Sequence, residues 1–390
     1  MHWIRTVKDS KVVEKMNSLE ENLREYFEWF HRHPELSYEE YGTTKRIREI
    51  LEEAGVEILP CNLETGLVAI VRGEKEGPVQ ALRCDIDALP VREETNLSYA
   101  SEFEGKMHAC GHDFHITAGI GCAILLTKRK SELAGTVKII FQPAEESSVG
   151  ALKIMETDVM NGVERIWGLH ADPTNETGYV GIREGYVAAA ADRFLVTIAG
   201  VGCHGAHPDH GVDPIPAAAA MVQAFQTIIT RNVDAFHPAL LSVTRIEAGQ
   251  TWNVIPESAV MEGTVRTMDR EDRELVEKRM REIVQSTAQA YGATAKLQWF
   301  SGSPAVYNDS EMVKHVIGTA EKQNMQVVPE ESSMGGDDFS FYEENIPGCY
   351  IKIGTGKGPT IHQPGFRVDE RVLLPTSIYL AELLIGCRQS

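Results

Sequence analysis

At 390 residues the chain exceeds what one ordinary hydrophobic core organises, so two domains are expected. Hydrophobic residues make up 43% and charged residues 24%, the balance of a folded chain with a water-exposed surface. The 57 acidic and 38 basic side chains give a formal net charge of −19, which argues against nucleic acid or an anionic membrane as partner.

The N-terminal stretch is polar and amphipathic, with no continuous apolar core, so a secretory leader is not expected. No run of about 18 apolar residues predicts a membrane span. The first helix is predicted over Glu20–His31 and a second over Glu39–Ala54, stopped by Gly55. Apolar runs at Leu67–Val71 and Val79–Asp87 read as strands, and the second ends in acids. A helix follows over Asp113–Lys130, with Asp113 as its N-cap. Strands Thr136–Gln142 and Glu164–His170 complete a first α/β region, residues 1–189.

Between residues 190 and 300 the order changes. Strand Asp192–Gly200, helix Pro214–Arg231, strand Ala239–Gly249, strand Ala259–Thr267, helix Arg270–Tyr291 and strand Ala295–Phe300 follow one another. That is the β-α-β-β-α-β order of a ferredoxin-like unit, whose two ends lie close enough for it to be an insertion. Residues 301–390 then return to the first domain and end in a helix over Leu373–Ile385.

The seven cysteines are scattered, odd in number and never spaced as CxxC. No disulfide framework is expected, and a reducing, cytoplasmic setting fits. Cys110 stands apart, because it falls in one of four islands rich in metal-binding side chains. These are MHACGHDFH (Met107–His115), QPAEES (Gln142–Ser147), GLHADP (Gly168–Pro173) and IHQPGF (Ile361–Phe366). Loops at the carboxyl ends of strands converge on one crevice in an open α/β sheet. A thiolate, three imidazoles and a carboxylate meeting there are what zinc and similar divalent cations take. Five ligands exceed the need of one tetrahedral ion, whereas two ions about 3.5–4 Å apart with one shared ligand use them all.

Taken singly, each island has a plain explanation. A histidine on an apolar strand is commonly a hydrogen-bonded core residue, and a Glu-Glu pair is commonly solvated charge. Adjacent carboxylates directly after an apolar strand are harder to explain that way. His115, three residues after His112 on a helix, shares its face and reads as a support rather than a ligand. His108 reads as a false ligand, and His31 as background. A thiol hydrolase using Cys110 with His112, and a catalytically silent metal-binding protein, remain open on the residues alone.

The islands, together with FHRHPELSYEE (Phe30–Glu40), DIDALPVREET (Asp85–Thr95), TWNVIPESAVMEGTVRT (Thr251–Thr267) and GGDDFSFY (Gly335–Tyr342), resemble the amidohydrolase branch of the aminoacylase and carboxypeptidase G metallopeptidases. The resemblance covers nearly the whole chain. It implies an α/β, di-metal peptidase-like catalytic domain with an inserted ferredoxin-like α+β lid and dimerisation domain. It implies that Cys110, His112, Glu146, His170 and His362 bind two divalent metal ions. Zinc or manganese is expected, with cobalt or nickel as further occupants. Cys110 falls where related peptidases place a bridging aspartate.

By the same resemblance Glu145 is the general base and acid, His204 supports the developing oxyanion, and Asn253 is a further substrate contact. The implied substrate is a small N-acyl amino acid or similar amide, and the implied assembly a homodimer through the inserted domain. Dipeptidase or carboxypeptidase action on the same site is the alternative. Two departures stand out: Gly202-Cys203-His204 where many relatives have GGH, and Asp337 where relatives usually carry glutamate. Arg266 is a lesser candidate, for a substrate carboxylate.

Overall fold

A computed structural model describes residues 10–387, and the side chains from residue 16 onward. The first nine residues, on which part of the reading of the N-terminus rests, lie outside the described residues. No helix among the described residues is long and apolar enough to cross a membrane.

The chain divides into two compact units. Among the described residues, the larger holds 10–187, 307–331 and 338–387; the smaller holds 188–306 and 332–337. The larger is built on an eight-stranded mixed sheet. Its centre is four parallel strands side by side, in the order Ala134–Gln142, Lys75–Asp85, Arg165–Asp172 and Gly348–Gly354. From Lys75–Asp85 the next strand in sequence lies on one side and the one after it on the other. This reversal is the switch point at which open α/β sheets form their crevice.

Helix His112–Lys128 is apolar nearly all round and buried along most of its length, which makes it a central helix rather than a surface one. Helices Ser10–Arg32 and Leu373–Gly386 pack against it. Gly119 and Gly121 allow the close fit: a Cβ at Gly119 would stand 2.6 Å from Cys84 Sγ, and one at Gly121 would stand 2.2 Å from Ser377 Oγ.

Two expectations need correcting. The second strand begins at Lys75, not Val79, because its pairing with Ala134–Gln142 continues across an irregularity between Lys75 and Val79. Asp113 is not the N-cap of the central helix. Gly111 holds that position with φ 85°, the helix starts at His112, and the Asp113 carboxylate is drawn to His31 instead.

In the smaller unit a four-stranded antiparallel sheet runs in the order Ala239–Ala248, Ser258–Thr267, Ala190–Ala199 and Thr294–Phe300. The alternating burial of Ser258–Thr267 gives it one wet and one dry face. Helices Pro214–Arg231 and Arg270–Ala290 contact each other and the sheet, and both are capped by aspartate, Asp213 and Asp269. The core of the unit joins Phe194, Val196, Ile198, Met221, Phe225 and Met280.

Candidate metal centre

The five side chains implicated by the resemblance as ligands all belong to the larger unit, and the fold draws them together. His112 comes from the start of the central helix, Glu145 and Glu146 from the loop after Ala134–Gln142, His170 from Arg165–Asp172, and His362 from beyond Gly348–Gly354. Ligand atoms of Cys110, His112 and His170 lie within 4.8 Å of one another, and so do those of Cys110, Glu146 and His362. Cys110 is common to both groups. His112, Glu145 and Glu146 form a third.

The histidines are oriented by their other nitrogen. His112 Nδ1–H donates to the Asp87 carbonyl oxygen at 2.8 Å, and His170 Nδ1–H to that of Ala171 at 2.8 Å. Each leaves Nε2 facing the cluster, with His170 Nε2 at 3.4 Å from Cys110 Sγ. His115 behaves differently. Its Nε2 accepts the Ala171 N–H at 2.8 Å, so Nδ1 carries the proton and donates it to Asp85. Both nitrogens are engaged, and His115 acts as a strut between two strand ends.

The surroundings of His112 are anionic and buried, while His362 is open to solvent. His112 Nε2 lies 3.5 Å from Asp85 Oδ2 and 3.9 Å from Glu146 Oε1. Neither His112 Nε2 nor Glu146 Oε1 has a hydrogen-bond partner, although both are buried. Burial opposes a charge on His112, but Asp85, Asp87 and Cys110 outweigh it and hold its pKa well above the ordinary value. Burial lifts the Glu146 carboxyl to about 7 and the Cys110 thiol well above its usual range. It also keeps His170 neutral. Thiol, carboxyl and imidazole donors around two orphaned buried atoms call for positive charge, so the residues fit divalent cations.

Several supporting residues escape sequence reasoning. Asp85 is held well below the usual carboxylate range: burial works the other way, and Arg83 with His112 and His115 overcomes it. Arg83 is fully buried and also reaches Asp338 Oδ1 at 2.7 Å and Gln142 Oε1 at 3.1 Å. Asp338 further accepts the Ala151 N–H at 2.8 Å. Segment 31–40 braces the rim. His31 sits between Asp113 Oδ2 at 2.6 Å and Glu93 Oε1 at 3.1 Å. Two carboxylates on two ring nitrogens make it an imidazolium; although burial opposes the charge, they raise its pKa to about 9. Ser37 Oγ donates to Asp87 at 2.7 Å, and Glu40 accepts the Ala144 N–H at 2.8 Å. The acids closing strand Lys75–Asp85 were the sequence signal for Asp85 and Asp87.

His204 and Asn253 lie in the smaller unit. They share a two-stranded ribbon in which His204 pairs with Val254, and Gly205 N–H donates to the Asn253 carbonyl at 2.8 Å. His204 Nδ1 accepts the Ala206 N–H at 3.0 Å, so its Nε2 carries the proton. The ribbon is exposed at His204 and at Trp252. Arg266 donates to its own strand neighbours, Thr264 Oγ1 and the Val265 carbonyl.

This sheet with its cluster of metal-binding side chains is that of a metallopeptidase-type protein. The profile described as "Peptidase family M20/M25/M40" matches residues 81–385, and the chain belongs to that family. It is 46% identical over 356 residues to an N-acetylcysteine deacetylase of Bacillus subtilis, covering 91% of this chain and 94% of that one. It is 37% identical over 377 residues to thermostable carboxypeptidase 1 of Saccharolobus solfataricus, covering 93% and 96%. Among solved structures, the Bacillus subtilis YxeP protein, described as a dinuclear metal-binding peptidase, superposes with a TM-score of 0.87 at 43% identity, covering 95% of this chain and 98% of that one.

Proposed function

We propose that the chain is a metal-dependent amidohydrolase that removes the acyl group from N-acyl amino acids, and that Cys110, His112, Glu146, His170 and His362 would hold its two divalent cations. The observation that carries this reading is the membership of Cys110 in two ligand groups, one with His112 and His170, the other with Glu146 and His362. The similarity to an N-acetylcysteine deacetylase supports the substrate class. Zinc suits the thiolate and imidazole donors, while manganese, cobalt and nickel are accepted by the same set.

Cations held by these residues would lower the pKa of water and polarise the scissile carbonyl. The remaining work falls to the chain. Glu145 takes a proton from the attacking water as the new C–O bond forms, and returns it to the amine nitrogen as the C–N bond breaks. His204 donates its Nε2–H to the oxyanion, a contribution of roughly 3–4 kcal/mol for a well-placed donor. Asn253, on the same ribbon, holds the substrate. Asp85 and Asp87 keep His112 in place throughout. A free thiolate at Cys110 is disfavoured by its burial, which speaks against the thiol hydrolase.

The second reading, carboxypeptidase action at the same site, is favoured by the likeness to thermostable carboxypeptidase 1. A homodimer through the smaller unit accompanies either reading. The exposed edge strand Ala239–Ala248 of its sheet, with Ile246 in water, supports it. Seven free cysteines support a cytoplasmic setting. The test is a panel of N-acetyl and N-benzoyl amino acids and dipeptides with ZnCl2 or MnCl2, read by amine release. Release from N-acyl amino acids is expected. Release from dipeptides alone favours the carboxypeptidase, and no release with any cation overturns both.

A further inference from the structure

The loop that carries Glu145 and Glu146 bends at Ala144, whose φ of 56° lies in the left-handed region that a Cβ disfavours. Bonds within the loop, from Ser148 N–H to the Glu145 carbonyl at 2.7 Å and from Ser147 Oγ to the Ala144 carbonyl at 3.0 Å, are joined there by a grip from outside it. Three successive backbone N–H groups supply the grip, and they face two buried carboxylates. Ala144 N–H donates to Glu40 Oε1 at 2.8 Å, Glu145 N–H to Asp87 Oδ1 at 3.1 Å, and Glu146 N–H to Asp87 Oδ2 at 3.0 Å. Converging N–H groups around a left-handed residue make a cradle for negative charge.

Asp87 is tied to the cluster on its own account, through His112. Glu40 bonds to none of the five ligand side chains: its carboxyl accepts the Ala144 amide, bonds Thr65 and its own backbone N–H, feels the Asp87 charge nearby, and is fully buried. Its place in the sequence invites a different explanation, since it stands at the N-cap position of helix Tyr41–Glu53. Its side chain makes no capping bond there. Glu35 does that work, accepting Gly42 N–H at 3.0 Å and Thr43 N–H at 2.7 Å. The Glu40 carboxyl is therefore turned from its own helix toward a loop 104 residues away.

We propose that Glu40 is a positioning residue: by accepting the Ala144 N–H it fixes the left-handed turn that aims Glu145 at the reacting water and Glu146 at the cations. The inference rests on the roles assigned to Glu145 and Glu146 under the proposed function. Asp87, which grips the next two amides, is left unaltered in every variant below. A Gln at position 40 keeps an oxygen to accept the bond, whereas Ala does not. Glycine at position 144 adopts the turn without strain and needs less holding.

The experiment compares E40Q, E40A, A144G and the E40A/A144G double variant, all as full chains. Readouts are kcat and KM on an N-acyl amino acid, calorimetric affinity for ZnCl2 and for MnCl2, and thermal melting. E40A is expected to lower kcat at least about tenfold with KM within about threefold, and to weaken cation affinity about tenfold. E40Q stays within about threefold of the parent, and A144G recovers at least about half of the E40A loss on a logarithmic scale. Equal losses in E40Q and E40A, a kcat for E40A within about twofold of the parent, or no recovery by A144G overturns the proposal. Should E40A fail to fold, recovery of folded, cation-binding protein by A144G upholds it, and failure of the double variant overturns it. A parent chain inactive on every N-acyl amino acid sinks the proposed function instead, and the Glu40 inference is then read from the cation affinities alone.

Discussion

In the larger unit Glu40, Arg83, Asp85, Asp87, His112 and Asp113 are all buried, most of them completely; in the smaller, the buried charged side chains among the described residues are Asp192, Asp272 and Asp337. Burying charge is costly unless every group is paired, and the two units meet that demand differently. Asp192 is closed off locally, clamped by Arg273 at 2.8 and 2.6 Å and by Gly302 N–H at 3.1 Å. Asp85 has both oxygens engaged, Oδ1 by His115 and Oδ2 by Arg83, but its network is not closed off: Oδ2 also faces His112 Nε2 at 3.5 Å, and that nitrogen has no hydrogen-bond partner. The unit that supplies none of the five ligands pairs Asp192 completely. A unit that must bind a cation leaves one end of the network unfinished.

Removing the proposed proton carrier without touching the proposed ligands gives the largest expected effect. Glu145→Gln should lower kcat by roughly 10²–10⁴-fold while cation content, measured by elemental analysis, stays at the parent level. Retained kcat would remove Glu145 from the chemistry. Asp338→Ala comes next. It leaves the Arg83 guanidinium, Gln142 and the Ala151 amide short of an acceptor in a dry interior. A loss of roughly 3–5 kcal/mol in denaturant unfolding is expected, together with weaker cation binding.

His31 offers a pH test. Its pKa is raised in the folded chain to about 9, so its stabilisation is complete below its unfolded pKa of about 6.5 and disappears as pH rises through 9. His31→Asn should therefore cost on the order of 2–3 kcal/mol at pH 6 and progressively less toward pH 9.5, as followed by melting curves. A constant difference across that range would break the imidazolium assignment. The smallest effect belongs to the finished network. Arg273→Ala should cost about 2 kcal/mol of stability and leave calorimetric cation affinity unchanged. A large change in affinity there would erase the contrast between the units.

The legibility of the site in the sequence follows the same division. Cys110, His112, Glu146 and His170 stand out because metal-binding residue types cluster at the edges of regular elements, the first two at the start of the central helix and the others at or after the ends of apolar strands. His362 was legible only through its IHQP neighbours, since its own loop has no periodicity. His31 was invisible, because its partners Asp113 and Glu93 are 82 and 62 residues away. Asp113 was misread because aspartate before an apolar helix ordinarily caps it, whereas the left-handed turn at Gly111 starts this helix one residue sooner. The alternation of buried and exposed residues made the smaller unit's strands readable almost to the residue, as at Ser258–Thr267. Strand Lys75–Asp85 was read short at its start because its irregular beginning follows no alternation, while its inner half is buried on both faces.

The most direct measurement is the number of cations held by the purified chain and by Cys110→Ala, obtained by titrating metal-free protein with ZnCl2 in a calorimeter. Two equivalents for the parent are predicted, with both sites weakened together in the variant, because one sulfur serves both ligand groups. A single equivalent in the parent, or a variant that loses one site and keeps the other at full affinity, would contradict a bridging thiolate.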